Sequence, residues 1–184
     1  MSTERGRLGV GLIGSGFNAG FHLQAFRAVR DADVLGIWSP TDAHAAAAAE
    51  RARRLDVGDA KPFGSIRDMV ADPAIEALWL TGPNHRRLEN IEEIVDAVER
   101  GRGNLKGIAC EKPLGRTVAE AERMLALVNR AGIAHGYLEN QLFAPQVETG
   151  HALAWARGAA TSRRRTRVMT PSVPSLPQRS PTRS

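Results

Sequence analysis

Cysteine is nearly missing from this chain of 184 residues: Cys110 is the only one. An internal disulfide is excluded, and a reducing compartment, the cytoplasm, is the expected location. No apolar run approaches the ~20 residues that a membrane-crossing helix needs. The segment Met1–Arg7 is short and polar and leads straight into the first apolar stretch, so neither a signal peptide nor a membrane partner is expected. His22, His44 and His135 share no ligand spacing with one another or with Cys110, so no metal site is expected. Acidic residues stop at Glu148. Up to that point 18 Lys and Arg stand against 20 Asp and Glu, whereas beyond it there are seven arginines and no acid. The formal charge of +5 therefore belongs to the tail and gives no reason to expect nucleic acid at the folded part.

The tail lacks more than acid. Of the 24 residues 161–184, 19 are Ser, Thr, Pro or Arg. Such a stretch buries too little apolar surface to offset its ordering entropy, so disorder is expected. It has no interleaved aromatics and no helical phase, which favours a solvated tail over a nucleic-acid arm. The arm reading would show DNA affinity that falls steeply with salt.

Short apolar runs alternate with amphipathic stretches through the rest of the chain. Strands are expected at Arg7–Ile13, Asp33–Trp38, Lys61–Phe63, Ala74–Leu80, Lys106–Cys110 and Ile133–Leu138. Helices are expected at Ala19–Val29, with Phe21, Ala25, Phe26 and Val29 on one face, and at Thr41–Leu55 and Ser65–Ala71. Another runs over His85–Arg100, with Leu88, Ile91, Val95 and Val98 lining one face and Gly101 as its cap. A last one opens on the capping box Thr117–Glu120, with Val118, Ala121, Leu125 and Val128 as its stripe. Strands and helices alternating at this spacing imply an α/β fold, a doubly wound (Rossmann) parallel sheet of order 3-2-1-4-5-6 with a disordered C-terminal tail.

The break after the first strand is Gly14-Ser15-Gly16-Phe17-Asn18-Ala19, a G-x-G-x-x-A pattern between strand and helix. That context suits a dinucleotide's pyrophosphate. Gly14 permits the turn, Gly16 leaves the backbone open to close approach, and Ala19 lets the helix pack on the sheet. The helix N-terminus adds free N–H groups. A glycine-rich turn that binds nothing is the plain alternative.

In such a sheet ligands sit beyond the C-terminal strand ends. Ser39 follows the second strand, where NAD sites usually carry a carboxylate for the ribose 2′-hydroxyl. Its presence, with Thr41 nearby, favours NADP over NAD, although no arginine follows immediately and Asp42 is close. Trp38 suits either an adenine wall or the core. Pro83, Asn84 and His85 follow the fourth strand, and His85 either faces the nicotinamide or merely occupies a first helical turn. Lys112 ends a buried strand before Pro113; it serves in proton transfer or is an exposed loop lysine.

Taken together, VGLIGSGFNAGFH, LTGPNH, EKPLG and GYLENQLFAP, in that order from Leu8 to Val147, resemble the N-terminal half of the Gfo/Idh/MocA oxidoreductases, the glucose–fructose oxidoreductase and inositol dehydrogenase family. The resemblance implies an NAD- or NADP-dependent enzyme acting on a carbinol carbon of a sugar or cyclitol. It places Gly14, Ser15, Gly16, Phe17, Asn18 and Ala19 at the pyrophosphate and Ser39 at the ribose. Pro83, Asn84 and His85 border the cofactor. Glu111 and Lys112 stand by the nicotinamide, with Lys112 orienting or deprotonating the substrate hydroxyl. Pro113 resembles the family's cis-proline, and Asn140 closes the rim. Gly82 and Arg87 stand where the family more often has Thr and His.

The expected organisation is a dinucleotide-binding domain over residues 1–147, the start of a second domain over 148–160, and the tail. The family's substrate domain is not expected in this chain, and a frame change near codon 160 would explain the shift to Arg, Ser and Pro. A non-enzymatic nucleotide-binding or regulatory module is the alternative function, and an oligomer remains possible.

Overall fold

The computed structural model describes residues 6–156, so the disorder expected over 161–184 lies outside the described residues. The chain groups into two compact units, Met1–Asn140 and Gln141–Ser184. The described part of the second holds one α-helix, α6 (Pro145–Ala156), preceded by a short 3₁₀ helix over Asn140–Phe143 that begins at the last residue of the first unit.

The first unit is built on six strands: β1 (Leu8–Ile13), β2 (Ala32–Trp38), β3 (Lys61–Phe63), β4 (Ala77–Leu80), β5 (Gly107–Glu111) and β6 (Ala134–Leu138). Their order is β3-β2-β1-β4-β5-β6 and every pairing is parallel, which is the order expected from sequence. Between them run α1 (Phe17–Phe26), α2 (Asp42–Arg54), α3 (Ile66–Ala71), α4 (Asn84–Glu99) and α5 (Val118–Arg130). Strands covered on both faces read as continuous apolar runs, and β1 is buried from Gly9 to Ile13.

The sheet separates two cores. One gathers Val10, Leu12, Leu23, Val34, Ile37 and the buried alanines of α2 (Ala45, Ala48, Ala49 and Ala52); the other gathers Ile66, Met69, Leu78, Ile91, Ile94 and Ile108. Space inside the sheet is set by side chains that are absent. Gly11 and Gly36 are neighbours across β1 and β2, and a Cβ on either would stand 2.5 or 3.1 Å from the Met69 sulfur. The thioether fills the hollow they leave.

Local chemistry fixes the helix ends. Ser65 Oγ accepts from Asp68 N at 3.0 Å and Thr117 Oγ1 from Glu120 N at 3.2 Å. Glu120 reaches back to Arg116 N rather than to the cap residue itself. At the end of α4, Gly101 has φ +73°, with Gly101 N bonded to Val98 O and Arg102 N to Ala97 O, a Schellman closure.

Three expectations are corrected. The buried face of α1 is Ala19, Leu23 and Phe26, while Phe21 and Val29 are exposed, because the helix starts at Phe17 and ends at Phe26. The buried stripe of α5 is Met124, Leu127 and Val128. Val118 is 75% exposed at the first helical position and Leu125 lies on the flank. β4 begins at Ala77 because Asp72 turns the chain, its carboxylate accepting from Ala74 N and its carbonyl from Ile75 N.

Cys110 is buried on β5, and desolvation pushes its thiol up to about 11. A thiol reagent at pH 8 should therefore modify the folded chain slower than the urea-unfolded chain by on the order of a hundredfold, from thiolate fraction alone. Equal rates in both states would place Cys110 outside the core.

Candidate functional site

The polar rim forms at the C-terminal strand ends, where β1 and β4 are neighbours. Ile13 O closes the switch between them, accepting from Thr81 N at 2.9 Å, Gly82 N at 3.0 Å and Thr81 Oγ1 at 3.2 Å. Gly14 N donates to Trp38 O at 2.8 Å, which anchors the glycine turn to β2. Gly14 has φ +114°, and a Cβ there would meet Gly82 N at 2.8 Å and Thr81 Oγ1 at 3.0 Å. Gly16 has an ordinary extended backbone (φ −76°) and nothing within 4 Å of where a Cβ would stand. Gly14 is thus required by the turn, whereas Gly16 leaves open space above the backbone.

Helix α1 starts at this open glycine without a side-chain cap or an acidic residue in its first turn. The first-turn N–H groups of Phe17, Asn18 and Ala19 have no carbonyl to reach within the helix. Phe17 is 88% exposed and Ala19 is packed against the sheet. Ser15 Oγ and Ser39 Oγ lie 2.8 Å apart, so the hydroxyl assigned to the pyrophosphate and the one assigned to the ribose are joined. Trp38 packs against a core cluster.

The opposite rim is made by β5. Glu111 is buried, with Oε1 2.7 Å from His22 Nε2 and Oε2 accepting from Lys112 N at 3.0 Å. Lys112 is exposed, and the Lys112–Pro113 bond is cis. Pro83 and His85 are exposed at the head of α4 with Asn84 half-buried, and Asn140 is exposed past the end of β6. The sequence-predicted residues that follow β1, β2, β4 and β5 thus lie together at the C-terminal end of the sheet.

Two residues here escaped sequence reasoning as parts of the rim. His22 pairs with a residue 89 positions away, and no sequence pattern links them. Arg87 is 2% exposed, and its guanidinium donates to Gly82 O at 2.9 Å, Glu111 O at 2.5 Å, Leu114 O at 3.3 Å and also to Pro113 O. It ties the β4–α4 turn to the loop that carries Lys112. Its Nε is buried with no hydrogen-bond partner among the described residues. Burial lowers the guanidinium pKa, opposed by the nearby Cys110, Glu111 and Tyr137. A signal did exist: Arg87 lies in phase with Ile91 and Ile94, a cation on the apolar face of a periodic helix. No metal-binding cluster and no helix long and apolar enough to cross a membrane occur among the described residues.

Known proteins are similar to this chain in sequence and fold. Levoglucosan dehydrogenase of Pseudarthrobacter phenanthrenivorans is 34% identical over 145 residues, covering 76% of this chain and 35% of that protein. The 1,5-anhydro-D-fructose reductase of Ensifer adhaerens is 31% identical over 81 residues, 43% of this chain and 22% of that protein. This chain therefore spans about a third or less of the length of these curated relatives. Among solved structures, levoglucosan dehydrogenase in complex with NADH and L-sorbose is similar at TM-score 0.64 and 27% identity, over 83% of this chain and 39% of that one. GenD2 from gentamicin A biosynthesis, in complex with NAD, is similar in fold at TM-score 0.70 and 22% identity, over 86% and 42%. The family model described as oxidoreductase family, NAD-binding Rossmann fold, matches residues 8–137, and the chain belongs to that family, the Gfo/Idh/MocA oxidoreductases.

Proposed function

We propose that this chain is the dinucleotide-binding part of an NAD(P)-dependent oxidoreductase acting on a carbinol carbon of a sugar, anhydrosugar or cyclitol in the cytoplasm. The observation that carries this reading is the open, uncapped start of α1 at Gly16. Free N–H groups and the positive end of a helix dipole hold a pyrophosphate there, with no acidic residue in the first turn of the helix to oppose it. The residues present fit the dinucleotide: Gly14 sets the turn, Gly16 keeps the approach clear, and Ser15, Phe17 and Asn18 surround it. Ser39 stands at the ribose, and NADP is favoured over NAD. When bound, the nicotinamide supplies the hydride chemistry.

The chain's own residues then orient and manage protons. Pro83, Asn84, His85 and Asn140 border the dinucleotide. Glu111, fixed by His22, and Arg87 hold the loop from which Lys112 orients or deprotonates the substrate hydroxyl. Similarity to a levoglucosan dehydrogenase supports the substrate class.

Fluorescence titration with NADH and NADPH tests the binding half of this reading. Saturable binding, and a rise in Tm on adding nucleotide, are expected. A panel of sugars and polyols with oxidised cofactor tests the chemical half. The chain alone should bind nucleotide but turn over little; saturable binding with no turnover on any member even after a separately encoded C-terminal half is added would favour a nucleotide-binding module, and no binding of either nucleotide would remove the reading altogether.

A further inference from the structure

Sequence reasoning found no arginine directly after Ser39 to meet a ribose phosphate. The fold supplies one from further along. Helices α1 and α2 pack side by side, and Gly20 of α1 faces Arg51 of α2. A Cβ on Gly20 would stand 2.6 Å from Arg51 Nη1, so the guanidinium rests on bare helix backbone. A cleft of about 350 Å³ opens beside it, lined by Ser15 and Gly16 from the glycine turn and by His44, Ala47 and Arg51 from α2. Its walls carry two basic side chains and no carboxylate. Arg51 has no ion pair among the described residues, since Glu50 is taken by Arg53 and Arg54. Asp42, exposed in the first turn of α2, is not part of the lining.

Three separate features therefore meet at one place: an unpaired cation, a cavity that admits an anion, and the turn assigned to the pyrophosphate. Ser15, which lines the cleft, is joined to Ser39, so a substituent on a ribose held beside Ser39 would lie near the cleft. The guanidinium fork matches phosphate oxygens, and a neutral ribose hydroxyl would leave it without an anion.

We propose that the cleft between α1 and α2 is a phosphate subsite that receives the 2′-phosphate of NADP, with Arg51 as its principal cation, His44 as a second donor, and Gly20 as the seat that admits the guanidinium. The proposal rests on the dinucleotide-binding reading above and names how that site chooses its cofactor.

The test is a titration of the full chain with NADPH and with NADH, repeated for Arg51→Met and Gly20→Ala, and with 2′,5′-ADP and 5′-AMP as competitors. The unaltered chain should prefer NADPH by about tenfold or more, and 2′,5′-ADP should displace it better than 5′-AMP. Arg51→Met should weaken NADPH by about tenfold while leaving NADH within about twofold. Gly20→Ala keeps the charge but displaces it. The crowded atom is the end of a flexible side chain, and alanine favours the helix, so Tm should hold or rise while NADPH affinity falls several-fold. Equal losses for both nucleotides, or no loss in either variant, would overturn the subsite. Binding of NADH with no preference for the 2′-phosphate would overturn it and leave the dinucleotide reading intact. Binding of neither nucleotide would overturn both.

Discussion

Replacing Gly14 by alanine is expected to destabilise the fold by about 3 kcal/mol or more and to abolish dinucleotide binding. Two costs combine. At φ +114° an L-residue is strained, which alone costs about 1–3 kcal/mol. The added Cβ would also stand 2.8 Å from the backbone nitrogen of Gly82, and that neighbour cannot rotate away. Relief requires β1 and the β4–α4 turn to separate, which breaks the bonds that Thr81 and Gly82 make to Ile13 O. Gly16→Ala is the matching control. Its backbone is ordinary and its surroundings are open, so stability should stay within about 0.5 kcal/mol of the parent. Its binding should nevertheless fall, because the methyl group projects into the space left for phosphate. Urea unfolding curves at equal m-value, with nucleotide titrations of both variants, read the two effects separately. If Gly14→Ala unfolds at the parent's midpoint, the turn is not the constraint described above.

Arg87→Met carries the second large effect, a loss of about 3 kcal/mol. Removal of the guanidinium strips Gly82 O, Glu111 O, Pro113 O and Leu114 O of their donor, and each buried acceptor left unpaired costs about 1–3 kcal/mol. Water reaching the outer carbonyls, and release of a buried charge with an unpartnered Nε, offset part of that sum. Lysine is no substitute, because a single ammonium cannot span the β4–α4 turn and the β5 loop at once. The decisive readout is local: amide hydrogen exchange should accelerate at residues 81–84 and 111–116 in the variant well before the centre of the sheet is affected. A variant that loses stability evenly across the sheet would make Arg87 an ordinary core residue.

The sheet was legible because its physics is local. Apolar runs bounded by glycine and proline marked the strands, and parallel order followed from the alternation of strands with helices. Helix faces were less legible. Phe21 and Leu125 are as apolar as Leu23 and Met124, and a shift of one or two residues at a helix start rotates which of them turns inward. The rim was half legible. Gly14, Gly16 and Lys112 announce themselves by position after a strand, whereas the His22–Glu111 pair and the Arg51–Gly20 contact join residues far apart in the chain. Arg87 lay between these cases. It was marked as unusual, but its role depends on four carbonyl groups, which no side-chain pattern encodes.

The separation of the two cores by the sheet has a consequence for the order of assembly. One cluster draws on residues 10–60 and Ala77, the other on Ile13 and residues 66–133, so each face is nearly continuous in sequence. On a ribosome the first face acquires most of its components before any helix of the second has been made. The central strand is also the earliest. Its edge toward β2 can pair once Trp38 has emerged, while the other edge waits for Ala77–Leu80. At about 5–20 residues per second that interval lasts on the order of a few seconds. During it the backbone of Val10–Ile13 presents an unpaired, fully apolar edge. That apolar edge exists only in transit, before β4 emerges to cover it.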